Sequence, residues 1–169
     1  MIKKTKLLFL SAIFIVAAPA KAADIKPKIN KGDVELGGSL DFNMYSPGVY
    51  SVFNAEIGGQ YFFADKFSAG LDLSVWRVGK YSLATAIGPV FTKYFWTKDS
   101  IAPYVSLRPF SWSKTEGERS YVSSSVRLGT KFFPTDNVSI GPAIDYKIGW
   151  RHGYQQHSLG FLGALAVHF

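Results

Sequence analysis

The stretch His157-Ser-Leu-Gly-Phe-Leu-Gly-Ala-Leu-Ala-Val-His-Phe169 decides how the rest of the chain is read. Counting back in twos from its end gives Phe169, Val167, Leu165, Gly163, Phe161 and Leu159. The intervening set is His168, Ala166, Ala164, Leu162, Gly160 and Ser158. One set is large and apolar; the other is mostly small, with a polar residue at each end. That period of two is a β-strand. A soluble protein has little use for a strand whose larger apolar face runs to the terminal carboxylate. A strand that closes a barrel in a bilayer needs one, because its outward face meets lipid.

The opposite end of the chain points the same way. Lys3, Lys4 and Lys6 precede an apolar run from Leu7 to Ala18, and Ala20-Lys21-Ala22 forms a small-residue cleavage site. This predicts a secretory signal peptide over residues 1–22. The apolar run is shorter than the ~20 residues a membrane-spanning helix requires, and no other stretch is long and apolar enough. Only helices and closed barrels satisfy every backbone group in lipid, so a membrane location implies a barrel.

Removing residues 1–22 takes away four lysines and no acid, leaving 15 basic against 12 acidic side chains, a net charge of +3 in place of +7. Such a small excess gives no argument for nucleic-acid binding. There is no cysteine, which excludes a disulfide framework and any Cys-based metal or nucleophile site. About 147 residues remain, enough for one domain. Abundant aromatics with hydropathy near zero suit a barrel whose strands are each half apolar.

Residues 23–32 are polar and Lys-rich, a short periplasmic lead-in, and residues 33–169 form the barrel domain. Within it, three similar turns recur at Tyr61 to Ser68, Tyr94 to Ile101 and Phe132 to Ser139, each an aromatic cluster followed by a polar turn containing Asp. Phe63, Trp96, Phe133 and Phe169 are 33, 37 and 36 residues apart in turn, the length of a strand pair with its turns. Four other breaks fall at Ser46-Pro47-Gly48, Gly79-Lys80, Ser113 to Arg119 and His152 to Gln156. Seven breaks predict eight strands, at 33–45, 50–63, 67–78, 81–95, 101–112, 120–133, 138–151 and 157–169. Each exceeds the ~9 to 11 residues of a tilted membrane strand. The fold class is therefore all-β, an eight-stranded antiparallel up-and-down transmembrane β-barrel. Tyr45, Tyr50, Trp76, Tyr81, Trp112, Tyr121, Trp150 and Tyr154 flank the other breaks and predict a second aromatic belt. A soluble barrel also alternates, but its large apolar face would point inward and need no second belt.

With the apolar set outward, the lumen receives a charge network: Glu35, Asp41, Glu56 and Asp72 from the first three strands, Arg108, Arg127, Lys131, Lys147 and Arg151 from the fifth to seventh, and Asp145 from the seventh. An eight-stranded lumen is only wide enough to be filled by side chains, and charges desolvated there must be paired. A salt-bridged plug is the bland outcome; a polar path for protons or small ions is the sharper one. Pro89, Pro103, Pro109 and Pro142 fall inside predicted strands, two of them in matching Ile-Gly-Pro triplets, which suggests bulges or local breaks in the ladder.

No cofactor motif follows a strand, and His152, His157 and His168 share no ligand spacing with acids, so neither a metal nor a cofactor is expected. His152, His157 and Ser158 near one rim, with Glu116 and Glu118 in a loop, allow a lipid A deacylase only as a remote alternative, and no enzyme is expected. Lys114 and Arg119 in the charged loop suit lipopolysaccharide phosphates, or a solvated loop.

The pattern of the whole mature chain, and above all its final strand, resembles the small bacterial outer-membrane barrels, such as the membrane domain of OmpA and OmpX. The resemblance implies a location in the bacterial outer membrane, with the chain ends and the three aromatic turns facing the periplasm. It implies delivery by periplasmic chaperones and insertion by the barrel-assembly machinery, which would recognise a C-terminal signal at Phe161, Leu165, Val167 and Phe169. A monomeric integral component in contact with outer-membrane lipids and lipopolysaccharide is expected, contributing to envelope structure or surface contact. A narrow pore for small solutes is the alternative.

Overall fold

In the computed structural model, residues 25–46, 50–78, 82–98, 100–115, 120–151 and 154–169 are described. The expected signal peptide lies outside them, as do Ala23 and Asp24. Eight strands follow one another: β1 (Val34–Ser46), β2 (Tyr50–Ala64), β3 (Phe67–Val78), β4 (Ser82–Tyr94), β5 (Ile101–Thr115), β6 (Tyr121–Thr135), β7 (Val138–Arg151) and β8 (Tyr154–His168). Each pairs antiparallel with its sequence neighbours, and β8 returns to β1 to close the barrel.

The closing seam runs from Glu35 opposite His168 to Ser46 opposite His157. Beyond it Val34 and Phe169 exchange backbone hydrogen bonds of 3.1 and 2.9 Å. No strand edge is left unpaired. The tight connections follow the turn chemistry of the repeat: Asp65-Lys66 joins β2 to β3 with Lys66 at φ 64°, and Asp136-Asn137 joins β6 to β7. These turns and both described chain ends share one end of the barrel, the inner end.

The predicted strands match the observed ones apart from their ends. β5 runs on to Thr115 and β8 begins at Tyr154, so two of the expected outer breaks are shorter. Composition alone reads their polar residues as turn. Ser113 and Thr115 instead pair with Ala86 and Ala84, and Gln155 and Gln156 with Trp150 and Gly149.

Of the four in-strand prolines, Pro89 and Pro109 fall at register shifts, whereas Pro103 pairs with Thr130 and Pro142 with Gly163 in unbroken register. The β4–β5 register shifts between Ile87 and Phe91, across Pro89, and the β5–β6 register shifts between Arg108 and Ser111, across Pro109. Pro109 and Phe110 both face outward, and past them the buried set of β5 changes from even to odd numbers. A bulge of this kind adds one residue to a strand and removes the need for the missing N–H. The glycines of the two Ile-Gly-Pro triplets explain the repetition. A Cβ on Gly88 would meet the Phe110 carbonyl oxygen at 2.4 Å, and one on Gly141 the Thr130 carbonyl oxygen at 1.8 Å. Each triplet thus lets a neighbouring strand come closer than any side chain would permit.

The two faces are inverted relative to a soluble protein. Leu40, Phe53, Ile57, Leu71, Leu128 and Leu165 are exposed, while Asp41, Asn43, Glu56, Arg108, Lys131 and Asp145 are buried. That distribution is unfavourable in water and favourable when the surrounding solvent is hydrocarbon.

Candidate functional site

The lumen concentrates the chemistry of this chain. It is organised along the barrel axis as an apolar layer at each end with ionic layers between.

At the inner end Phe62, Tyr94, Tyr104, Phe133 and Leu162 turn inward and pack around Ile29 of the lead-in. Phe133 was expected in the membrane-facing belt; it is buried instead, and Phe132 is the exposed member of that pair. The cause is the period of two, which sends one residue of each aromatic pair to each face. Phe63, Phe67, Phe95, Trp96 and Phe169 do lie exposed at this end. At the outer end Trp76 packs with Ala84 and Ala86, supported by Val52 and Tyr121. Trp76 and Tyr121 therefore leave the predicted outer belt for the lumen, and Trp112 and Trp150 remain on the outside. The side chains of Tyr45, Tyr50, Tyr81 and Tyr154 lie outside the described residues.

Between these layers, bases of β5 and β6 reach across to acids of β1, β2 and β3. Arg108 pairs with Glu56 and donates through Nε to Asp72 at 2.8 Å. Arg127 donates to the other Glu56 oxygen at 3.0 Å. Glu56 thus holds two guanidiniums, one on each oxygen. Lys131 pairs with Glu35, whose second oxygen accepts from the Tyr94 hydroxyl at 2.9 Å. The Lys131 ammonium also lies 5.5 Å from the Tyr94 ring centre and 5.7 Å from that of Tyr104, a cation–π cradle. Asp41 accepts from Ser39 and Asn54, both at 3.1 Å. Charges with such partners can be held away from water, and each would cost several kcal/mol alone.

Asp145 differs. It is 1 % exposed, neither carboxylate oxygen has a hydrogen-bond donor among the described residues, and the described cation paired with it is the Arg127 Nε at 3.6 Å. Lys147 is half-buried on the same strand, and the side chain of Arg151 lies outside the described residues. The cavity left in the network is about 50 Å³, lined by residues that include Glu35, Gln60, Thr92, Ser106, Arg127 and Lys131.

Several lumen partners were not anticipated from sequence. His168 is buried, with Nε2 2.9 Å from the Ser139 hydroxyl and Nδ1 3.1 Å from the Lys28 carbonyl. Tyr94, a turn aromatic by composition, is buried and donates to Glu35. In both cases the parity of the strand was the available signal, since each residue lies on the inward set.

The two described residues considered for catalysis, His157 and Ser158, do not converge. Ser158 is buried in the lumen, while His157 is on the outer face, stacked on Tyr146 with its Nδ1 2.7 Å from the Tyr146 hydroxyl. Neighbours in a strand point to opposite faces, so His157 and Ser158 cannot act on one substrate. His152, Glu116 and Glu118 lie outside the described residues. Among the described residues no group of three His, Cys, Asp or Glu side chains is placed to hold a metal ion. Phe161, Leu165, Val167 and Phe169, the residues expected to form the assembly signal, all face outward and are exposed.

No protein-family model matches the chain, and none of the curated proteins matches its sequence. Solved structures do. The chain is similar to neisserial surface protein A, with TM-score 0.66 and 17% identity over 81% of this chain and 96% of that one. It is similar to the N-terminal β-barrel domain of Pseudomonas aeruginosa OprF, with TM-score 0.57 and 17% identity over 82% of this chain and 98% of that one. The attachment invasion locus protein Ail of Yersinia pestis gives TM-score 0.58 and 13% identity over 82% and 99%. The architecture is that of the small eight-stranded outer-membrane β-barrels, as the sequence pattern implied. At these identities the likeness is one of fold.

Proposed function

We propose that this chain is an integral protein of the bacterial outer membrane whose lumen is plugged by its own side chains. It acts through its surface, in envelope structure or in contact with lipid and lipopolysaccharide, rather than as a conduit. The observation that carries this reading is the layering of the lumen: an apolar cluster around Trp76, cross-barrel ion pairs centred on Glu56 and Glu35, and an apolar cluster around Ile29. A solute would have to break each layer, leaving buried charges unpaired at several kcal/mol apiece. Complete edge pairing supports a monomer. Insertion by the barrel-assembly machinery after delivery by periplasmic chaperones is part of the same proposal, and the outward C-terminal strand supports it.

The test is conductance of the refolded mature barrel in planar lipid bilayers. No discrete current steps are expected. Reproducible single-channel steps would defeat the plugged lumen and favour a narrow pore. Lipid A from cells with and without the protein should carry identical acylation in mass spectra, because His157 and Ser158 are on opposite faces.

A further inference from the structure

Charge on this barrel is sorted by face and by sector. Within the described strands the acids Glu35, Asp41, Glu56, Asp72 and Asp145 all turn into the lumen. The charged side chains on the membrane face are Arg77, Lys93 and Lys114, all cations and all on β3, β4 and β5. Lys93 is at the inner end, over the Phe67 ring at 5.1 Å. Arg77 and Lys114 are at the outer end, on the strands that flank β4. Arg77 is opposite Leu83 and Lys114 opposite Thr85, so they lie two strand spacings across and two residues along, about 12 Å apart. Exposed Trp112 shares the outer face of β5 with Lys114.

Below them the same face carries an apolar groove. Leu36, Ile57, Leu71, Leu73 and Ile87 form its walls, and the backbone at Gly37 and Gly58 contributes to its floor. Leu73 pairs with Ile87, and Ile87 with Trp112, so the groove is continuous with the cationic rim. Four residues of β3 separate Leu73 from Arg77, about 13 Å along the strand.

We propose that this outer face of β3 to β5 is a binding site for lipid A, the acylated, doubly phosphorylated disaccharide of the outer leaflet. Arg77 and Lys114 take one phosphate each, Trp112 lies at the level of the sugar, and an acyl chain enters the groove between Leu73 and Ile87. Two cations about 12 Å apart suit two separate phosphates, whereas a glycerophospholipid presents one. Among the described residues no acid lies on the membrane face to oppose a phosphate. This site rests on the outer-membrane reading and gives its lipid contact a location.

The mature chain, refolded into phosphatidylcholine nanodiscs, would be titrated with lipid A, with monophosphoryl lipid A and with phosphatidylglycerol, and bound copies counted by native mass spectrometry. Lipid A should be retained about tenfold better than phosphatidylglycerol, with the monophosphoryl form between them. The double substitution Arg77→Gln/Lys114→Gln should remove that preference, while Lys93→Gln keeps it. Equal retention of lipid A by the double variant, or equal retention of phosphatidylglycerol by the unaltered chain, would overturn the site. Failure of the outer-membrane reading is read separately, as identical gel migration of boiled and unboiled samples before any lipid A is added.

Discussion

The imidazole Nδ1 of His168, in the last strand, lies 3.1 Å from the backbone carbonyl of Lys28, in the segment before the first strand. That contact is one of several that turn the lead-in into a cork. The Lys26 and Lys31 amides donate to the Asp136 and Asp65 carboxylates, each at 2.9 Å, and the Lys66 amide donates to the Ile29 carbonyl at 2.8 Å. Two of the turn aspartates that mark the repeat in the sequence, Asp65 and Asp136, therefore fasten the N-terminal segment across the mouth. Ile29 is the side chain it inserts.

Replacing Ile29 with Ala leaves the strands intact and opens a cavity in the inner cluster, so the folded barrel should lose about 2 to 5 kcal/mol. The check is the temperature at which the compact band converts to the unfolded one on unheated-to-heated gels. An unchanged midpoint would show that the cork does not bear on stability.

Glu56 and Asp145 should respond differently to neutralisation. Glu56→Gln leaves Arg108 and Arg127 facing a neutral amide and should destabilise by about 3 to 5 kcal/mol, as removing one partner of a buried ion pair does. Asp145 accepts no hydrogen bond from the described residues, so Asp145→Asn should cost much less. Denaturant unfolding of both variants in detergent gives the comparison, and equal losses would refute the assigned pairing.

Glycine substitutions should separate by neighbour rather than by strand. A Cβ at Gly141 collides with the Thr130 carbonyl oxygen at 1.8 Å, whereas at Gly163, directly across the ladder at the next pair, it meets nothing within 4 Å. Gly141→Ala should sharply lower the refolded fraction and Gly163→Ala should leave it near that of the parent. The reverse order would mean that the close approach is not maintained.

Phe169→Ser should reduce assembly more than stability. The Phe169 side chain is 59 % exposed, and its role in the fold is through backbone bonds to Val34 that serine can also make. Surface levels in cells should fall while the unfolding midpoint of the purified, inserted variant stays close to the parent. Normal surface levels would show that the final aromatic is not read during biogenesis.

Which charged residues fall on the inward set of each strand was legible because strand parity needs only local sequence. Acids and bases at even spacing could be assigned inward one strand at a time, and closure of eight strands put β2 across from β5 and β6. Which base meets which acid was not legible. Arg108 reaches both Glu56 and Asp72, and Asp145 is left without donors, because side-chain reach across a curved wall depends on register and on the glycines that let strands approach. The bulge at Pro109 and Phe110 shows the same limit: proline marks a break, but only pairing with β4 and β6 decides which strand takes the extra residue.

By itself the sequence determined the architecture, since alternation in eight segments with turn residues between them leaves a closed antiparallel barrel as the solution in lipid, where backbone groups have no other partners. It also determined the outward strand that ends at Phe169. Only the tertiary structure decided that Trp76 and Phe133 turn inward to seal the lumen, that residues 25–33 cork one mouth, and that Arg77 and Lys114 share a rim. Those relations join residues far apart in the chain, and they follow from barrel closure and stagger, which no local periodicity encodes.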